Sequence, residues 1–273
     1  MNEVAKRQDT QVQAGAQPQP GGIVPSDVVV PRLLLMQGTS DFVKERKANI
    51  GDMVRSTNAE KIGDPDKMLE FIPLSEPVAT WVVEKRTVGE QRWNFHAVLP
   101  RTAANDTLPW RFNADKDGNL LDDSVKSTHE WRRVKCLTLY ILLPQDIAAF
   151  QVEMKKAEAG ETPDISKALT PVLLAFRSTS FKAGKEVQTF FTNVKQFRQR
   201  AHNYTLKLGC FLDKNDQGTF YVFKVDRDKP TPVPADYKPH VEEWYNIVSS
   251  GASLKVDETG EGGDEAAGDG GNF

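Results

Sequence analysis

VKCLTLYILL, residues 134–143, is the most apolar run of the chain, and Pro144 stops it. Its length and its bounding proline predict a buried strand. Three runs upstream have the same character: MLEFIPL (68–74), VATWVVEKRT (78–87) and QRWNFHAV (91–98). Rich in β-branched and aromatic residues and closely spaced, they predict a meander. The intervening stretch, 100–128, is dense in Pro, Asn, Asp and Gly. It reads as a long loop or β-turn excursion anchored by Trp110 and Phe112. Earlier still, VVVPRLLLMQGTSDF (28–42) is broken by Pro31, which favours a short extended piece at 28–30 over a helix. A short strand at 53–56 lies between turns, and residues 1–22, rich in Gln, Ala, Pro and Gly, predict a disordered arm.

Downstream of Pro144 the period changes. Residues 145–156 predict a short helix, and PVLLAFR (171–177) predicts another buried strand. Ser178-Thr179-Ser180 then caps an expected helix from 181 to about 200. Ala183, Val187, Phe190, Phe191, Val194 and Phe197 recur at three- and four-residue steps on one of its faces. Runs 204–212 and 219–225 predict a hairpin across LDKNDQGT, 230–234 a spacer, and PHVEEWYNIV (239–248) a final helix. The order is not the strand–helix alternation of a parallel sheet. It predicts a mainly β fold with helices (α+β): one domain over 23–250, built on an antiparallel, partly closed barrel.

Charge is unevenly placed. The net charge is −3, but the six acids of 257–273 account for that sign; residues 1–256 hold 35 basic and 32 acidic residues. Between 177 and 207 stand Arg177, Lys182, Lys185, Lys195, Arg198, Arg200 and Lys207, against the single acid Glu186. Such a stretch is a candidate footprint for a polyanion, the alternative being a solvated basic face without a partner. Trp93, Trp110 and Trp131 each adjoin Arg in sequence, and Lys85-Arg86 follow Trp81 on the same run. Rings for stacking beside cations for phosphates are what single-strand binding requires, while core packing competes for the same rings.

No enzyme chemistry is legible. No glycine-rich phosphate loop follows a strand, and the four His and two Cys lack metal-ligand spacing. Neither a cofactor nor a metal is expected. Cys136 and Cys210 stand in apolar contexts and predict buried free thiols. With no long apolar span and no basic-then-apolar leader, a cytoplasmic protein is expected.

The C-terminus, DETGEGGDEAAGDGGNF (257–273), holds six carboxylates, no Lys or Arg, and one aromatic, the terminal Phe273. Such a composition predicts disorder, and the expected tail begins at 251. Its pattern resembles the C-terminal tails of bacterial and phage single-stranded DNA-binding proteins, with Gly270, Gly271 and Asn272 separating the last acid from the phenylalanine. PVLLAFRSTSFKAGKEV (171–187) resembles a stretch of the phage-encoded members. The resemblance implies a non-catalytic protein that binds single-stranded DNA without sequence specificity. It also implies that Asp264, Glu265, Asp269 and Phe273 capture replication or recombination partners. An OB-type barrel is then the leading form of the fold, since such barrels read single strands on one face. A virion-associated structural protein, or a nuclease with dispersed carboxylates, remains the alternative.

Overall fold

The computed structural model describes residues 25–257, apart from 91, 92, 123, 216, 217 and 253. The expected arm (1–22) and tail residues 258–273 lie outside them. Pro31 separates β1 (Val29–Val30) from β2 (Arg32–Leu35); α1 (Asp41–Lys44), β3 (Met53–Arg55), β4 (Lys61–Gly63) and β5 (Leu69–Pro73) follow. A hairpin arm comprises β6 (Val78–Thr87) and β7 (Asn94–Pro100), then α2 (Ala103–Thr107) and β8 (Arg111–Phe112). Next come β9 (His129–Leu142), α3 (Pro144–Glu158), β10 (Val172–Arg177) and α4 (Phe181–Gln196). The chain closes with β11 (Tyr204–Asn215), β12 (Gly218–Pro232), α5 (Lys238–Ser249) and β13 (Lys255–Val256).

Among the described residues, 11 strands form one mixed sheet in the order β12-β11-β5-β9-β10-β2-β3-β4, with β6 and β8 on β9 and β7 on β6. The expected partly closed, OB-like barrel is not what forms. Closure needs a ladder between the terminal strands, and β12 and β4 are both edges. The sheet is not purely antiparallel either, because β2 runs parallel to β10, with Arg32 opposite Leu173. One side chain links β12 to the segment that follows β2. The Gln37 amide donates to the Tyr221 carbonyl at 2.9 Å and accepts the Tyr221 N–H at 3.0 Å. A single glutamine thus satisfies one residue of β12 where a barrel would have supplied a strand.

Alternation along β9 sorts the layers. Leu137, Leu139 and Ile141 join Leu174 and Phe176 of β10 beneath Ala183, Val187 and Phe190 of α4. The helix lies close to the sheet because Gly184 has no Cβ. One built there would meet Leu137 Cδ1 at 2.8 Å and Phe176 Cβ at 3.0 Å. A second core joins Ile147 of α3 with Val241 and Trp244 of α5. A third, smaller one in the arm joins Val83, Ala114 and Trp131.

Several boundaries move. β12 runs to Pro232, through most of the expected spacer, and short elements α2 and β8 stand inside the expected long loop. Ser180 does not cap α4; its Oγ instead accepts the Phe223 N–H of β12 at 3.2 Å. The folded body extends beyond residue 250. Leu254 is buried, β13 pairs with β1, and Asp257 accepts the Ser56 hydroxyl at 2.5 Å. Both cysteines are free and buried, and burial pushes the Cys210 thiol up to about 11. Among the described residues no helix is long and apolar enough to cross a membrane.

Replacing Gln37 by Ala strips the Tyr221 N–H and C=O of their side-chain partners. We expect a loss of about 2–4 kcal/mol, read as a lower urea midpoint at unchanged slope.

Candidate nucleic-acid interface

Helix α4 buries one face and presents the other to solvent. Lys182, Lys185, Thr189, Thr192 and Gln196 follow one another at three- and four-residue steps, and all are exposed. Sixteen residues make this stripe roughly 24 Å long. Its one acid, Glu186, is paired with Arg227 of β12. Among the described residues, no carboxylate lies within ion-pairing distance of Lys182, Lys185 or Arg198. Lys182 stands in the first turn, where the helix dipole disfavours a cation. The N-terminal turn carries no acid.

The other end of α4 closes in a Schellman arrangement. The Gln199 N–H bonds to the Val194 carbonyl at 3.0 Å and the Arg198 N–H to the Lys195 carbonyl at 2.9 Å. The residue between must turn left-handed, a place glycine usually fills, and here it is Arg198 at φ 56°. Beside it Phe197, read in the sequence as the last member of the buried stripe, is 77% exposed. The helix ends at Gln196, so the period that would have carried Phe197 inward stops one residue too soon. Periodicity could not show this, because residue 197 fits the stripe and no glycine marks the stop. Just beyond, Ala201 and His202 are buried and tether the exposed turn. Burial holds the His202 ring below the usual histidine range, opposed by its hydrogen bond to Glu242 at 3.1 Å.

The other basic residues of 177–207 separate in space. Lys195 pairs with Glu76 at 2.5 Å, and Arg200 lies 3.6 Å from Glu242. Lys207 sits opposite Glu70 of β5, at 3.9 Å. Arg177 faces the side of the sheet turned away from α4, in register with Cys136. Ser180, just ahead of α4, is buried.

The tryptophans divide three to one. Trp81, Trp93 and Trp131 are 6%, 7% and 1% exposed, and only Trp110, at 41%, presents its ring to solvent. Stacking on the first three is therefore obstructed by the protein itself. The Arg133 guanidinium lies 4.0 Å from the Trp81 ring, and Arg132 and Arg86 lie 4.2 and 4.6 Å from Trp93. Trp131 meets His96 edge-on at 4.7 Å. These cations are also held by acceptors: Arg132 by Glu84 at 2.7 Å, Arg86 by Glu130, and Arg133 by the carbonyls of Asn105 and Asp106. Asp106, bonded to Arg101 and to the Trp81 indole, has its carboxyl held down at about 2. The alternating rings and cations are the packing of the arm. Sequence neighbours form such a pair at Trp110–Arg111, 5.0 Å apart. Elsewhere the partner comes from another segment of the arm, which adjacency in sequence does not reveal.

No family model, no curated protein and no solved structure matches this chain. Asp264, Glu265, Asp269 and Phe273 lie outside the described residues.

Collisional quenching checks the division of the tryptophans: acrylamide should quench the parent measurably and the Trp110→Phe variant far less, because Trp244 is buried too. His202 gives a pH signature. Its folded value is depressed, so below the ordinary 6.5 the unfolded chain takes up the proton first. Stability should fall as pH drops from 7 to 5, and His202→Gln should flatten that slope.

Proposed function

We propose that this protein binds single-stranded DNA without sequence specificity and without catalysis, in the cytoplasm, using the exposed face of α4 and the turn that ends it. Lys182 and Lys185 meet phosphates at one end. Arg198 adjoins Phe197 at the other, a ring on which a base can stack. The carboxylates and Phe273 of the tail recruit replication or recombination proteins, an arrangement in keeping with the sequence resemblance.

Arg198 is the observation that carries the reading. A side chain with a Cβ in the left-handed region costs stability that glycine would not. Strain of this kind clusters at functional sites, although Arg46, Ala59 and Ser178 also carry a positive φ. Here the left-handed residue is an arginine next to an exposed aromatic, at the end of a helix whose only acid is already paired.

A titration with oligo-dT at several salt concentrations tests it. Arg198→Gly should gain up to about 1 kcal/mol of stability while weakening binding. Phe197→Ala should leave stability unchanged and cost roughly 1–3 kcal/mol of binding. Lys182→Ala with Lys185→Ala should flatten the salt slope by about 0.7 for each phosphate that is no longer neutralised. Unaltered affinity and slope in all three would remove this face from the footprint.

A further inference from the structure

The face of the sheet opposite α4 carries a groove of about 310 Å³. Its floor is made by the outward-alternating residues of β9, Cys136, Thr138 and Tyr140, with Val78 and Val98 on its arm side. Two cations line it. Arg32 is in register with Leu173 and Arg177 lies four residues further along β10, so they stand roughly 13 Å apart along the strand direction. The groove is therefore apolar along its length, with guanidinium groups at separate stations.

The end of the folded body forms part of this groove. Val256 of β13 is one of the lining residues. Asp257 is fastened immediately after it, its N–H on the Val30 carbonyl at 2.8 Å and its carboxylate on Ser56. The sixteen residues that follow, 258–273, thus start at the lip. They carry Glu258, Glu261, Asp264, Glu265, Asp269 and the terminal carboxylate, no Lys or Arg, and Phe273. Extended, they reach about 50 Å, well beyond the far wall. Carboxylates suit half-buried guanidinium groups, and a single aromatic suits a valine-lined wall.

We propose that residues 258–273 lie along this groove, with their carboxylates at Arg32 and Arg177 and Phe273 packed against Val78 and Val98. The tail is then stored on the side of the sheet away from α4. It does not cover the basic helix, and Phe273 becomes available to another protein only when the segment leaves the groove. The inference is independent of the DNA reading, since it needs no ligand other than this chain.

The full-length protein tests it without DNA. A nitroxide placed by Ala267→Cys labels one site, because Cys136 and Cys210 are buried. The methyl signals of Val78 and Val98 should then lose at least about half their intensity, while those of Thr189 and Thr192 on α4 stay unchanged. Exchanging the five acids of 258–269 for Asn and Gln should restore the signals, as should Arg177→Gln or about 1 M salt, which screens beyond about 3 Å. The acid exchange touches no residue of the folded body, so it remains decisive if Arg177→Gln disturbs the sheet. Full intensity at Val78 and Val98 in the parent would overturn the proposal. So would broadening at Thr189 and Thr192, or broadening that survives the acid exchange.

Discussion

Strand β9 is the constraint on which the rest depends. One of its edges bonds β6 from His129 to Thr138 and then β5 at Ile141 and Leu142; the other bonds β8 and then β10. Its alternation decides what lies on each side: leucines under α4, and Cys136, Thr138 and Tyr140 on the floor of the groove. Because the same strand runs on into the arm, the packing of Trp131 there and that of Leu137 in the main core are set by one register. A slip of one residue would exchange the faces and put the leucines in the groove. Its ten-residue apolar core is also the part of the fold easiest to read in the chain.

Local features were legible because their causes are local. Apolar periods placed β5, β6, β9, β10, α4 and α5, and the turn residues of LDKNDQGT placed the β11–β12 hairpin. The overall architecture was not legible, for a physical reason. The pairings that define it join distant segments: β2 with β10, β5 with β11, β1 with β13. Nothing in residues 29–35 announces a partner more than a hundred residues away. The link between β12 and the segment after β2 is a single glutamine side chain, which no strand pattern encodes.

The candidate site shows the same division. Lys182 and Lys185 could be placed outside because the helical stripe beneath them is strong. The tryptophans were harder, since a ring beside an arginine in sequence has the same composition whether the pair faces water or the interior. In the folded chain the cations of the arm lie over rings of other segments and are held by Glu84, Glu130 and Asp106. Phe197 shows the converse: a residue that obeys the buried period and yet is exposed, because the helix stops before the period applies to it.

Strand β12 lies at the outer edge of the sheet for 15 residues. An edge of that length is ordinarily a template on which a second chain can add a strand. On this one Gln37 already takes the Tyr221 N–H and C=O and Ser180 the Phe223 N–H, and Pro230 and Pro232 near its end lack the N–H such an addition needs. The occupied groups and the prolines would leave gaps in the ladder of a self-pairing. This edge therefore resists fusing with that of a second copy when molecules crowd together.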